Sequence, residues 1–277
     1  IDQRFEIEYP EKDDYPTGWS AKVNQIQGMF EAFENALAQG DFATVQKYID
    51  YDSWADWFII SEYIKNVDAY RASNIFVYNG EKIEARPLWD QELSLNNQTN
   101  KAHGSDDTTG LMATTGSIYN NGAGDFPAPF WFTGGGASIT GGLLSDPCFV
   151  QVVKEKWNQY STGTGALTQD ALNKKIEAYT TELGGATDVS FNRGTMDCGS
   201  CQDGGCYSGG TGYSDVVKST SITNLNTWIT NRGKNLTTAL NNLEGASFSI
   251  QIIPSEAYTT PWEPVEMTVS VTPAGYD

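Results

Sequence analysis

Positive charge is scarce in this chain: Lys and Arg total 17 among 277 residues, against 35 Asp and Glu, for a formal net charge of −18. So acidic a surface repels polyanions, which excludes DNA, RNA and an anionic membrane face as partners. Histidine is scarcer still. His103 is the only one, so a Ser-His-Asp hydrolase has no second candidate for its base, and an isolated His in a loop-like setting reads as a surface residue. Long apolar runs are also missing. Stretches such as Trp57-Phe58-Ile59-Ile60 fall far short of the roughly 20 residues that span a bilayer, and no signal peptide opens the chain. Cysteine is limited to four positions, with Cys198, Cys201 and Cys206 in one Gly-rich loop and Cys148 apart. The C-x2-C-x4-C spacing plus a fourth thiol suits tetrahedral zinc, but in an exported Gly-rich loop two disulfides are the simpler expectation, with three pairings open. Low Lys and Arg, 28 Gly and this loop together predict a secreted or cell-surface protein. The chain starts at Ile1 in a strand-like run, so upstream sequence is expected.

What is present supports a real core: 39 % of the residues are hydrophobic. Helical spacing of Val23, Ile26, Met29, Phe30, Phe33 and Leu37 predicts a helix capped by Ser20 and ended by Gly40. A second short helix is predicted over 41–49. A third, capped by Asp52 or Ser53 and running to about Lys65, is apolar on most sides and therefore central. Strand patterns at 5–9, 74–78 and 81–88 include a hairpin signal at Asn79-Gly80. Residues 96–142 are rich in Gly, Thr, Asn and Asp without a sustained period. Helices return over 146–160, 168–183 and 222–243, and alternation at 248–252 and 267–271 predicts a β tail. Trp54, Trp57, Trp89, Trp157 and Trp228 read as packing residues, whereas Phe130-Trp131-Phe132 amid glycines reads as a possible exposed patch. Asp106, Asp107 and Asp203 offer loop oxygens for Ca²⁺ without the EF-hand pattern, and Asn97 and Asn235 head glycosylation-type tripeptides.

Chemistry concentrates in Asn66-Val67-Asp68-Ala69-Tyr70-Arg71-Ala72-Ser73-Asn74 and, 22 positions after Asp68, in Pro87-Leu88-Trp89-Asp90-Gln91-Glu92-Leu93. Phosphoryl transfer needs one carboxylate to orient and deprotonate the attacking hydroxyl and another to hold the cation that neutralises the phosphates. Kinases place the two on either side of a short hairpin, with a metal-ligand Asn behind the first. Asp68, an Asn close behind, the Asn79-Gly80 hairpin and Asp90 occur here in that order.

These residues resemble the CotH family, the spore-coat-protein-H-like kinases of bacterial spore coats and of secreted bacterial and fungal surface proteins. The likeness also includes Ile7-Glu8-Tyr9-Pro10-Glu11, Tyr48-Ile49-Asp50-Tyr51-Asp52-Ser53, Asp56-Trp57-Phe58-Ile59-Ile60-Ser61-Glu62, Leu143-Leu144-Ser145-Asp146-Pro147-Cys148-Phe149 before Trp157, and Trp228 with Arg232. The resemblance implies an α+β, protein-kinase-like fold: a mainly helical large lobe with a short β-hairpin and a β-rich C-terminal tail. It implies ATP with Mg²⁺ or Mn²⁺, and phosphate transfer to Ser or Thr of protein partners. By position Asp68 would be the catalytic Asp and Asp90 the metal-binding Asp. Asn74 lies six residues after Asp68, against a usual offset of about five, a place Ser73 holds, so either is a candidate metal ligand. Glu92 stands where the family often has Asp. The small ATP-binding lobe, with its phosphate-pairing Lys, would lie upstream of Ile1. Residues 1–245 are then a CotH-like kinase domain lacking most of that lobe, and 246–277 a β tail or the start of a further β domain. Two functions follow from this: a protein kinase, or a surface protein that keeps the kinase fold as an inactive structural or adhesive scaffold.

Overall fold

The computed structural model describes residues 7, 12–14, 17–66, 69–70, 74–91, 94–95, 107–114, 131–134, 141–192, 218–244, 248–249 and 272–273. The first helix, α1 (Trp19–Ala38), starts from Gly18 in a left-handed conformation (φ 89°) and has no side-chain cap. Ser20 therefore lies inside the first turn, because glycine alone makes the reversal without steric cost. Phe30, Phe33, Ala36 and Leu37 form its buried stripe. After Gly40, α2 (Phe42–Tyr48) is capped by Asp41, whose carboxylate accepts from Thr44 N–H at 3.1 Å.

Helix α3 (Tyr51–Ile64) is the axis of the molecule, packing against α1's aromatics, the hairpin and two later helices. Its cap is Asp50, which accepts from Ser53 N–H at 2.8 Å, rather than Asp52 or Ser53. The Ser53 hydroxyl instead donates to the Asp50 carbonyl and accepts from Ala85 N–H. Trp54, Ala55, Trp57, Phe58, Ile59, Ser61, Glu62 and Tyr63 are buried, as a helix enclosed on most sides requires.

Strands β1 (Phe76–Tyr78) and β2 (Ile83–Ala85) pair antiparallel, Phe76 opposite Ala85 and Tyr78 opposite Ile83. The connection is four residues, 79–82, and not Asn79-Gly80 alone. Asn79 Oδ1 accepts from the N–H groups of Glu81 and Lys82, both at 2.9 Å, and Asn79 N–H donates to the Lys82 carbonyl at 3.1 Å, so the backbone closes over Gly80-Glu81. The hairpin hangs on the start of α3, because Asp50 N–H and Trp54 Nε1–H both donate to the Ile83 carbonyl at 3.0 Å.

Helix α4 (Pro147–Ser161) opens with Asp146 as cap, accepting from Cys148 N–H at 2.9 Å, and with Pro147 in its first turn. Helix α5 (Gln169–Asn192) breaks its helical path at Gly184 (φ 44°, ψ −129°), where the apolar period of 168–183 stops. Helix α6 (Lys218–Asn241) buries Trp228, Ile229, Leu236 and Leu240. The architecture is thus mainly helical with one short hairpin. Of the predicted C-terminal strands, Phe248–Ser249 pairs with Thr272–Pro273, while 250–252 and 267–271 lie outside the described residues, as does the predicted strand at 5–9 apart from Ile7. Among the described residues no helix is long and apolar enough to cross a membrane.

The core is dominated by rings. Trp54 meets Phe33, Phe76 and Trp131, and Phe132 meets Trp57, Phe58 and Tyr70, with centroids 4.9–5.8 Å apart. Trp131 and Phe132 are fully buried and so form no exposed patch: the 131–134 segment folds inward, and Trp131 Nε1–H donates to Glu34 at 3.0 Å. Gly142 permits this approach, since a Cβ there would lie 2.6 Å from the Phe132 carbonyl carbon. Trp89, in contrast, is 58 % exposed rather than packed.

The expected disulfides need correction. Two bridges would consume all four cysteines, yet Cys148 is an exposed free thiol, and no disulfide occurs among the described residues. Its position at the start of α4 fixes it beside Asp146, and partial desolvation followed by that carboxylate's charge pushes the thiol's pKa up. Cys198, Cys201 and Cys206, together with Asp106, Asp203, His103, Asn97 and Phe130, lie outside the described residues. Asn235 is half-buried, and its amide donates to Thr108 Oγ1 at 2.9 Å.

Phe132 joins the 131–134 segment to α3 through three rings and is wholly buried. Phe132→Ala is expected to lower unfolding free energy by about 3–5 kcal/mol, the usual range for emptying a buried aromatic site. Urea denaturation followed by tryptophan fluorescence measures it. A loss under about 1 kcal/mol would mean that the segment does not belong to the core.

Candidate functional site

The site is built outward from the end of α3. Lys65 takes a left-handed conformation (φ 49°) and turns the chain, and the buried Asn66 follows. Asn66 N–H donates back to the Ser61 carbonyl, and its own carbonyl accepts from Ala69 N–H at 3.1 Å, closing the turn from 66 to 69. The Asn66 side chain points the other way: its Nδ2 donates to the Asp90 carbonyl at 3.2 Å and to Gln91 Oε1 at 3.0 Å. Leu95 N–H donates to the Ile64 carbonyl at 2.7 Å. One helix terminus therefore holds Ala69 as well as Asp90, Gln91 and Leu95.

Asn74 stands two residues before the first hairpin pair and Asp90 five residues after the last, so both leave from the open end of the hairpin. Asp90 is exposed with φ 55°, a conformation that few side chains besides Asn and Asp adopt readily. Asn74 Oδ1 is buried and accepts no hydrogen bond. Such an orphaned oxygen costs about 1–3 kcal/mol unless a ligand meets it. A hard cation takes oxygen ligands, so an amide oxygen and a carboxylate at one hairpin end fit Mg²⁺ or Mn²⁺. Among the described residues no three His, Cys, Asp or Glu gather into a metal cluster. A cation held by one or two protein oxygens and completed by phosphates would not need one. Asp68, Ser73 and Glu92 lie outside the described residues, so the expected approach of the Asp68 and Asp90 carboxylates does too.

A buried ion pair that the sequence reading missed stands behind this loop. Glu62 and Arg232 have no exposed side-chain surface and meet at 3.3 Å. Glu62 also accepts from Tyr70 Oη–H at 2.7 Å, Met112 N–H at 2.6 Å and Ala113 N–H at 2.8 Å. Arg232 donates to the carbonyls of Glu62, Thr108 and Gly110 at 2.6–3.0 Å. Burial pulls the guanidinium's pKa down, and the Glu62 charge resists that pull. Tyr70, two residues beyond Asp68, is held by this carboxylate and by rings of Trp57 and Phe132. The one available signal was a charged residue on each of two otherwise core-facing helical stretches, which rarely occurs without a partner. Nearby, Asp107 accepts from Thr109 N–H and Oγ1–H, which lower its pKa despite burial. These bonds close a turn over 107–109.

Residues 2–236 match the family model described as CotH kinase protein. No curated protein and no solved structure matches the chain.

Removing one member of a buried ion pair strands the other. Arg232→Met is expected to cost about 3–5 kcal/mol, and adding Glu62→Gln should recover part of that loss. Thermal and urea unfolding of the two single variants and the double variant measures the coupling. Strictly additive losses would contradict a functional pair.

Proposed function

The chain belongs to the CotH kinase family, and we propose that it supplies the large lobe of a protein kinase that transfers phosphate from ATP, with Mg²⁺ or Mn²⁺, to Ser or Thr of protein partners. Residues 1–245 constitute that domain and 246–277 an appended β element, and the protein acts outside the cell or at a cell surface. The observation that carries this proposal is the buried, unpaired Asn74 Oδ1 at the same hairpin end as Asp90, with Asn66 bridging to the Asp90 backbone.

Asp68 then accepts the proton of the acceptor hydroxyl as its oxygen takes the phosphoryl group. Asn74 and Asp90 would hold the cation, with Glu92 as a further carboxylate. The cation, when bound, neutralises the phosphates and draws charge from the leaving oxygen. The protein's own contribution is mainly positional: Tyr70 and Ala69 fix the loop behind Asp68, and Asn66 fixes Asp90.

Labelled-ATP transfer to acceptor protein, alongside nucleotide titration, tests this with the protein carrying its native flanking sequence. Asp68→Asn should lower transfer about 10²–10⁴-fold with nucleotide affinity nearly unchanged. Asp90→Asn should lose transfer and also weaken Mg²⁺-dependent nucleotide binding about tenfold or more. Wild-type protein that binds no nucleotide at millimolar Mg²⁺, with both variants indistinguishable from it, would favour the inactive scaffold.

A further inference from the structure

A second feature lies where the hairpin meets α3. A cleft of about 300 Å³ opens between the first turns of α3 and strand β2. Its rim carries Asp50, Asp52, Asp56 and Glu84, and its apolar wall is made by Trp57, Ile60 and Leu88. Against four carboxylates stand Arg86, on Glu84, and Lys156, which reaches Asp52 at 3.3 Å and Asp56 at 3.1 Å. The cleft thus stays net negative in a chain whose total charge is −18.

Glu84 is the informative residue, because it is 8 % exposed and lines the cleft. Its Oε1 accepts from Asn79 Nδ2 at 2.7 Å. Its Oε2 is buried and accepts no hydrogen bond; among the described residues its charge is balanced by the Arg86 guanidinium, whose side chain is 62 % exposed. A buried carboxylate oxygen that has a counter-charge but no hydrogen bond is an acceptor with capacity left over. Arg86 shows that a guanidinium can reach it, and being mostly in water, Arg86 can leave at small cost. The apolar wall continues outward through Leu88, 42 % exposed, to Trp89, 58 % exposed. The volume is at the lower end for ligand sites, enough for a few side chains and too small for a folded domain.

We propose that this cleft captures an extended segment of a partner protein that presents a basic side chain, preferably Arg, next to an aliphatic one. The Arg enters against Glu84, displacing Arg86, and the aliphatic residue covers Leu88 and Trp89. Residues 83–91 run from this cleft directly to Asp90, so a segment held here lies beside the proposed phosphoryl-transfer site. The consequence for substrate choice rests on the kinase reading, but capture itself does not.

The test is fluorescence anisotropy with the whole chain, no nucleotide, and a fluorescein-labelled synthetic peptide carrying two Arg and two Leu. Glu84→Gln and Leu88→Ser should each weaken binding about fivefold or more. The exposed Asp52→Asn should weaken it less, and it serves as a second carboxylate variant should Glu84→Gln unfold. Arg86→Gln should tighten binding severalfold, whereas Lys174→Gln, the same charge change on α5, should leave it unaltered. No measurable binding, equal effects of Arg86→Gln and Lys174→Gln, or an Arg-only peptide binding as tightly as the mixed one would each overturn the proposal. Because nucleotide is absent, failure here leaves the phosphoryl-transfer assays to decide the kinase reading separately.

Discussion

The buried pair of Glu62 and Arg232 is the interaction on which the rest of this structure depends. Two charges withdrawn from water cost several kcal/mol each unless their hydrogen-bonding capacity is filled. Here it is filled by groups from four separate places: Tyr70 beyond the 66–69 turn, the carbonyls of 108 and 110, the N–H groups of 112 and 113, and the backbone of α3 itself. Apart from α3, none of these segments has a long helix or strand to hold it. Each is fixed because leaving its place would expose a charge to an apolar interior.

From that anchor the order passes along α3 to its last turn. Asn66 couples Ala69 to the backbone of Asp90, and Leu95 returns to Ile64. At the other end of the same helix, Asp50, Ser53 and Trp54 grip β2. The hairpin and the segments flanking it are therefore attached at both ends of one rigid element. The hairpin has only two three-residue strands, so these attachments to α3 hold it in place more than its own pairing does. Such preorganisation is what phosphoryl transfer asks of a protein, since positioning and charge supply most of the catalysis.

The sequence made α3's central place readable, because apolar residues surround it on most sides, and the order of Asp68, hairpin and Asp90 was equally plain. Caps were less legible. Asp50, Asp52 and Ser53 are all good N-cap residues, and only the docking of β2 onto Asp50 N–H and Ser53 Oγ decides among them. The turn closes over Gly80-Glu81, one residue later than the Asn-Gly pair suggests, with side-chain bonds from Asn79 that residue preference alone does not specify. Trp131 and Phe132 looked exposed because glycines surround them, but those glycines allow the close packing that buries the rings. Glu62 and Arg232 are 170 residues apart, and no local pattern connects charges across that distance.

The central claim is that the loop behind Asp68 and the 107–114 segment share one support. Hydrogen exchange in Tyr70→Phe tests it most directly, because that change keeps the ring packing and deletes only the bond to Glu62. Amide protection should fall together at Ala69 and at Met112 and Ala113, with the helices α3 and α4 unaffected. Faster exchange confined to Ala69, with Met112 and Ala113 protected as in the wild type, would contradict a shared support.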